Sequence, residues 1–471
     1  MKRIVIYILT VVMLMVTSCY KDQGNYDYVI PEEPVVLGLS DTVFIAFVGD
    51  TLRIKPDVTM LSGAENLSYE WEIIIPEEQR EILIPGLELK LPFTLLPKVY
   101  NGKFMVTDTS NGMKYFHDFQ VEGRTEFSQG IVVLSIESGI TRLSFVKPDK
   151  TVKPRLYELI HGETLPSGPL QLLANNEPYM PTTINTYLFT FSDPENPGIE
   201  IDANVFHQTK VLKDYFFTPP SVISPNNLIV MMNGTMIGAI NHKMYVGTSS
   251  TASWSPYYGL FGNEAEGDYE ISDQFIFEDN LGIAAFDINR QQFVRFSHSA
   301  VYFGTDYNII GSAFNPLDVG MDLLFVKKIS SDSYAFCEDE SGTIYELNFV
   351  NSFSMGINTF YPNLKREFAG SSLVTENTKW QGAATGVFFF TSNDKIYRYN
   401  PLNQDLKALD ADFGGKQVSM ILLTENENVL IAGIEGQLYF LDISVGQNGN
   451  IINGRTITGI PGEPTLIYEK L

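Results

Sequence analysis

The 471-residue sequence is acidic, with 32 Lys and Arg residues against 56 Asp and Glu residues and a formal net charge of −24. A surface of this charge repels phosphate backbones and therefore argues against nucleic-acid binding. The hydrophobic content of 44% and the aromatic content of 13% exclude a disordered chain and indicate a well-packed globular protein.

The first residues have the pattern of an export signal. Residues 1–3 are Met-Lys-Arg, and residues 4–16 form an apolar run that is shorter than the roughly 20 residues needed to span a bilayer. Residues 16–18, Val-Thr-Ser, stand before Cys19 and resemble the bacterial lipobox, in which the cysteine sulfur is lipidated and the signal is cut just before it. We therefore expect a signal peptide over residues 1–18 and a lipid anchor on Cys19. The alternative is an ordinary signal peptide followed by an incidental cysteine.

The second cysteine, Cys337, would then have no partner for an intramolecular disulfide. It stands in the apolar run 334–337 with no histidine nearby in sequence, and is predicted to be a buried, unreactive residue.

Residues 19–33 are predicted to be a tether, and residues 34–124 a β-sandwich. In the segment 67–73, polar and apolar side chains alternate, which is the pattern of a half-buried strand. A further strand at 103–108 leads to an Asn-Gly turn at 111–112, a typical hairpin signal. Short alternating strands around one tryptophan predict an immunoglobulin-like sandwich with Trp71 in its core.

Residues 125–471 contain a repeat of paired strands joined by turns rich in Gly, Asn and Asp. Matching apolar positions at 143, 244, 293, 344, 396 and 438 recur mostly at intervals of about 50 residues or twice that, a period typical of β-propeller blades. One further unit is expected near residue 190, which gives seven blades, although six or eight remain open. The strand at 465–468 is expected to complete the first blade and to close the ring.

The sequence contains no legible catalytic or metal-binding motif. Its five histidines form no His-x-x-x-His pair, and it has no Cys-x-x-Cys, phosphate-binding loop or Gly-x-Ser-x-Gly element. The acidic clusters 338–340 and 410–412 are predicted to be solvated surface. We therefore predict no catalytic residue, no metal and no cofactor.

The most distinctive loop lies at 254–261, where Trp254, Tyr257, Tyr258 and Phe261 stand close to a proline and a glycine. Exposed Trp and Tyr side chains are strong binding contacts. These four residues are the candidate ligand contacts. The alternative is that they pack beneath the loop or form part of a blade.

Three segments resemble the PKD-like family of bacterial surface lipoproteins: residues 19–28, residues 106–112 and residues 127–145. The Gly-Asp-Gly element that follows Trp in typical PKD domains is absent after Trp71. The resemblance implies an all-β chain, with an N-terminal immunoglobulin- or PKD-like sandwich followed by the seven-bladed β-propeller. It also implies an accessory role in SusC/SusD-type uptake loci, beside a TonB-dependent channel and a SusD-like lipoprotein. The family has no agreed catalytic residues to carry over.

The expected function is therefore that of an outer-membrane lipoprotein exposed at the cell surface. It would be a non-catalytic binding or scaffolding component of nutrient uptake, with a glycan or peptide ligand. Two alternatives remain open, because the propeller fold hosts all of these functions: an extracellular hydrolase or lyase, and an adhesin.

Overall fold

The computed structural model describes residues 31–39, 43–63, 66–178, 180–278, 282–354, 357–424 and 426–470. The signal peptide, Cys19 and most of the tether lie outside these residues. The chain divides into two compact units, Met1–Gly123 and Arg124–Leu471. The sequence pattern predicts a division after residue 124.

The first unit is a small β-sandwich. Its strands are β1 (Val35–Leu37), β2 (Val43–Phe47), β3 (Thr51–Ile54), β4 (Asp57–Thr59), β5 (Leu67–Ile75), β6 (Arg80–Pro85), β7 (Leu89–Pro92), β8 (Val99–Asp108) and β9 (Lys114–Arg124). A five-stranded sheet has the order β2-β9-β8-β5-β6, and the pairs β1-β4 and β3-β7 form two smaller sheets. A short 3-10 helix, Pro76–Glu78, connects β5 to β6.

Trp71 is the centre of the sandwich core, as the alternation along β5 predicts. Its side chain is fully buried and packs against the rings of Phe104 and Phe119, with ring centroids 4.4 and 5.2 Å away. The indole Nε1 donates a hydrogen bond to the Gly86 carbonyl at 2.9 Å, so the polar end of the ring is satisfied.

The second unit consists of seven sheets that follow one another along the chain. The first four contain β10 (Gly130–Glu137), β11 (Ile140–Val146) and β12 (Val152–Lys153); β13 (Pro169–Glu177), β14 (Met180–Phe191), β15 (Gly198–Asp202) and β16 (Gln208–Val211); β17 (Pro225–Val230), β18 (Met236–Ile240) and β19 (Lys243–Val246); and β20 (Ile271–Glu278), β21 (Gly282–Asp287), β22 (Gln292–Phe296) and β23 (Tyr302–Gly304).

The last three sheets contain β24 (Asn308–Ile309), β25 (Asp322–Ile329), β26 (Asp332–Glu338), β27 (Ile344–Ser354) and β28 (Ile357–Glu367); β29 (Trp380–Gly382), β30 (Phe388–Ser392), β31 (Lys395–Asn400) and β32 (Asp405–Ala408); and β33 (Met420–Leu423), β34 (Val429–Ile434), β35 (Gln437–Asp442), β36 (Asn450–Ile451) and β37 (Ile457–Thr458). The helices of this unit are α1 (Leu156–His161) and the 3-10 helices Leu212–Tyr215 and Ser371–Leu373.

The final strand, β38 (Glu463–Lys470), closes the ring. It pairs antiparallel with β10 and so becomes the innermost strand of the first sheet. The innermost strands then contact one another in cyclic order, β38, β13, β17, β20, β25, β29, β33 and again β38. This is a seven-bladed β-propeller closed by pairing its last strand with its first. The predicted fold class is confirmed, including the unit near residue 190, which is the β13–β16 blade.

Local sequence explains the blades. The second strands β18, β21, β30 and β34 are almost wholly buried, because both faces pack against neighbouring blades. Their sequences are accordingly near-continuous apolar runs. The tight turns that follow use residues that tolerate positive φ, such as Asn241 and His242 at +54° and +57°.

Candidate functional site

The aromatic loop lies at the outer edge of the third blade. This blade has three regular strands, and Phe261 forms an antiparallel bridge with Gly247, just beyond the end of β19. Phe261 therefore takes the place of a fourth strand, and residues 248–260 form an excursion before it. Backbone hydrogen bonds hold the base of the excursion, from Thr248 N to Leu260 O at 2.9 Å and from Gly259 N to Thr248 O at 2.8 Å.

Three aromatic side chains are exposed here. Trp254 is 88% exposed, Tyr257 is 57% exposed, and Phe217, from the segment after β16, is 50% exposed. The rings of Phe217 and Tyr257 stack with a centroid separation of 6.0 Å and an interplanar angle of 23°. We call Phe217, Trp254 and Tyr257 the aromatic platform.

The platform is fixed to the core by its neighbours in sequence. Phe217 N donates to the Phe261 carbonyl at 3.1 Å, and Phe261 N donates to the Tyr215 carbonyl at 2.6 Å. On the other side of the loop, the Tyr258 hydroxyl donates to the Asn233 carbonyl at 2.7 Å. The exposed rings are therefore carried on a braced backbone, which lowers the entropy lost when they contact a ligand.

Two of the four predicted contacts have other roles. Phe261 is fully buried against Phe216 and Tyr245, so it belongs to the core and cannot touch a ligand. Tyr258 is half-buried, and its hydroxyl is used in bracing the loop. Phe261 occupies the position of a fourth strand, where successive side chains point to opposite faces of the sheet. Its own side chain points inward and fills the core of the blade.

Sequence reasoning missed Phe217. It ends the aromatic run 215–217, which stands before the pair Pro219 and Pro220. Tyr215 and Phe216 are buried, whereas Phe217 is exposed. An aromatic run that ends next to two prolines was the available signal for an exposed ring in this segment.

The inner strands of the propeller are linked by amide side chains. Gln171 of β13 donates from Nε2 to Asn227 Oδ1 at 2.7 Å and accepts from Leu228 N at 2.8 Å. Asn227 of β17 donates from Nδ2 to the Asp273 carbonyl at 2.7 Å. These contacts join three successive blades at the ring's inner face. Nothing in them supplies an acid, a base or a nucleophile.

Two glutamates are buried inside blades and were not singled out from the sequence. Glu200 is 3% exposed and accepts hydrogen bonds from Thr186, Thr209 and Tyr215. Burial, with Glu200 nearby, raises the pKa of Tyr215 well above its ordinary value. This carboxylate is saturated by hydroxyl donors and sealed from solvent, so it stabilises the blade and cannot reach an extracellular polymer.

Glu346 is the second buried carboxylate. Its side chain is fully buried and accepts from Arg366 Nε at 3.0 Å and Arg366 Nη2 at 2.9 Å, and also from the Tyr399 hydroxyl. Arg366 lies in the fifth blade and Tyr399 in the sixth, so this cluster joins two blades.

The predicted acidic surface clusters lie at the end of β26 and in the segments that connect strands. Asp339 accepts hydrogen bonds from Ser341 and Thr343 between β26 and β27, and the Ser341 hydrogen bond lowers the pKa of its carboxyl. Asp410 accepts from Asn448 Nδ2 at 2.8 Å. Across the described ranges, no group of three or more His, Cys, Asp or Glu side chains is placed to hold a metal ion. In the same ranges, no helix combines the length and the apolar character needed to cross a bilayer.

Several solved structures are similar to the chain. A quinoprotein alcohol dehydrogenase-like protein from Bacteroides thetaiotaomicron is 13% identical, with 94% of this chain and 100% of that chain covered and a TM-score of 0.41. An auxiliary nutrient binding protein from the same organism is 10% identical, with 82% and 92% covered and a TM-score of 0.36.

A candidate 6-phosphogluconolactonase from Bacteroides uniformis is 12% identical, with 72% of this chain and 98% of that chain covered and a TM-score of 0.43. Similarities this distant assign no function. No curated protein matches the chain. Residues 19–169 match the PKD-like family, so the N-terminal part of this protein carries a PKD-like domain.

Proposed function

We propose that this protein is a non-catalytic binding lipoprotein of a nutrient-uptake system, and that it takes a glycan or peptide ligand at the aromatic platform. The observation that carries the proposal is the exposure of Trp254, three residues before Tyr257 on a braced loop, together with the stacked pair of Phe217 and Tyr257. Water contact with so much aromatic area is unfavourable, and a sugar ring or an apolar peptide side chain would remove it.

The platform is tested by replacing Trp254 with Ala. Because the indole is 88% exposed, the substitution removes little buried area and should cost less than about 1 kcal/mol of stability. Loss of a central aromatic contact should weaken binding by about 2 kcal/mol, which is about 30-fold in Kd. Phe303→Ala is the matched control, since Phe303 is 44% exposed in a different blade and should leave binding unchanged.

Suitable probes are xylan, mannan, cellulose and starch oligosaccharides and a casein hydrolysate, measured by calorimetric titration. Equal affinities of the wild type, Trp254→Ala and Phe303→Ala proteins for a bound probe would reject the platform. Release of new reducing ends or new peptides during incubation would reject the non-catalytic part of the proposal, and would favour a hydrolase or lyase.

The anchor and the setting are further parts of this proposal. The lipobox resemblance at residues 16–19 supports lipid on Cys19 and a place in the outer membrane, where a TonB-dependent channel and a SusD-like lipoprotein would be the partners. Cys19→Ser should abolish incorporation of labelled fatty acid and leave the protein soluble or uncleaved. Normal processing with full membrane retention of the variant would contradict the anchor, and the aromatic platform would be unaffected by that result.

A further inference from the structure

A second site is a cleft at the junction where the propeller closes. The cleft has a volume of about 400 Å³ and lies between the first and seventh blades. Its apolar walls come from the beginning of β10, the end of β11 and strands β35 and β37, through Ile131, Val146, Phe440 and Ile457. Such a volume is within the range of small-molecule sites, roughly 300–1,000 Å³.

The charge of the cleft is opposite to that of the chain. Four cationic side chains line it, Lys147, Lys150, Arg455 and Lys470, and the one carboxylate among the lining residues is Glu469. The whole sequence has a formal net charge of −24. A local excess of cations makes the electrostatic potential in the cleft positive, although the protein as a whole is acidic. A positive potential favours the binding of an anion there.

Each cation is positioned by a specific contact. The Arg455 guanidinium lies over the Phe440 ring, 4.5 Å from its centroid. Lys470 Nζ donates to the Ala203 carbonyl at 2.7 Å and to Asn204 Oδ1 at 2.9 Å, and Lys150 Nζ donates to the Gly454 carbonyl.

For Arg455 and Lys150 the partners are an aromatic ring and a backbone carbonyl, so they hold these two cations without cancelling their charge. The Lys470 ammonium is turned toward the second blade, where the Asp202 carboxylate also acts on it, so it is not counted among the ligand contacts. Only Lys147 is neutralised, by Glu126 at 3.0 Å. In the part of the chain that the structure describes, Arg455 and Lys150 form no ion pair with a carboxylate.

We propose that this cleft binds a small anionic saccharide, one that carries a carboxylate or sulfate group on a sugar ring. The sugar ring would lie against Ile131 and Pro148, and the acid group would accept hydrogen bonds from Arg455 and Lys150. The combination of apolar walls and uncancelled cations fits such a ligand better than a neutral sugar, which would leave the charges without partners.

The position of the cleft gives binding a structural consequence. Its walls belong to both ends of the propeller, β10 and β38 on one side and β35 and β37 on the other. A ligand that bridges them contacts only the closed ring, so occupancy should raise the melting temperature of the propeller.

The test uses D-galacturonate and galactose 6-sulfate as probes, with D-galactose as the neutral control. We expect one or both anions to bind the full-length protein, to raise its melting temperature and to bind more weakly as salt increases, whereas galactose does not bind. Loss of one charged donor, in Arg455→Gln or Lys150→Gln, should weaken binding about tenfold.

Lys407→Gln is the matched control, because Lys407 is an exposed cation of the sixth blade outside the cleft. It should leave the affinity unchanged. Absence of binding by both anions, equal binding of galactose, or unchanged affinity in both cleft variants would each overturn the proposal. Trp254→Ala should bind the anions normally, so failure of this site and failure of the aromatic platform are distinguishable.

Discussion

The cluster of Glu346, Arg366 and Tyr399 makes a sharp prediction about how two blades are joined. Glu346 has no exposed surface, whereas the Arg366 side chain is 22% exposed. Arg366 also donates to the Pro401 carbonyl, so it reaches from the fifth blade into the sixth. We expect removal of either charged partner to destabilise the propeller, and removal of both to restore most of the loss.

The size of each effect follows from burial. Breaking a buried ion pair costs about 3–5 kcal/mol, because the remaining charge is left without a partner. Glu346→Leu leaves the partly solvated Arg366 and should cost about 3 kcal/mol, at the low end of this range. Arg366→Met leaves the fully buried Glu346 and should cost about 4 kcal/mol or more. The double variant replaces both charges with apolar volume and should cost less than about 1 kcal/mol.

Differential scanning calorimetry of the full chain measures these changes. For a unit the size of residues 124–471, an unfolding entropy of about 2.1 cal/mol/K per residue converts 3 kcal/mol to a fall in Tm of about 4 °C. The Arg366→Met protein should therefore melt lowest and the double variant close to the wild type. Single-variant losses that add up in the double variant would refute the coupling. A larger loss for Glu346→Leu than for Arg366→Met would refute the argument from burial.

Three further predictions concern other parts of the propeller. Cys337 is fully buried, and burial raises the pKa of its thiol to about 12. In a Cys19→Ser background, this thiol should therefore react with a disulfide reagent at pH 8 only after the protein unfolds. Rapid labelling of the native protein would contradict this. Burial lowers the pKa of Lys470 to about 8 against about 10.4 in the unfolded chain. Between pH 8 and 10 the unfolded chain therefore holds a proton that the folded chain has released, and stability rises with pH across this window. Urea unfolding should show the advantage of the wild type over Lys470→Met increasing across that range, and a constant difference would contradict it. Removal of residues 463–471 deletes β38 and exposes the edge of β10. Cooperative thermal unfolding of the propeller should then be lost. An unchanged melting curve would show that closure of the ring adds no stability.

Local patterns in the sequence were sufficient for the fold class. The alternation along β5 and the burial of Trp71 are consequences of the pleat, which repeats every two residues and can be read from adjacent positions. The repeated blade follows in the same way, whereas the count of seven is decided by the closed ring. Each blade needs a buried second strand and a tight turn, so apolar runs followed by Asn, Gly or Asp recur along the chain.

The candidate site could be predicted only in part. The sequence identified the loop that carries Trp254 and Tyr257, because aromatic residues beside Pro and Gly are visible locally. It could not show that Phe261 turns inward to fill a fourth-strand position, nor that Phe217 stacks on Tyr257. Both facts depend on which side of a blade each ring faces, and the packing of the neighbouring chain segment decides that.

Only the tertiary structure shows which polar groups from distant parts of the chain contact one another. Glu346 and Tyr399 are brought together by the contact of two blades, and Lys150 meets the backbone of Gly454 only because the last strand returns to the first. No local spacing in the sequence encodes these pairs, since Glu346 and Tyr399 lie 53 positions apart and Lys150 and Gly454 lie 304 positions apart. The sequence therefore determined the repeated blade and its turns through short-range periodicity, whereas closure of the ring decided which charged side chains share a cluster or a cleft.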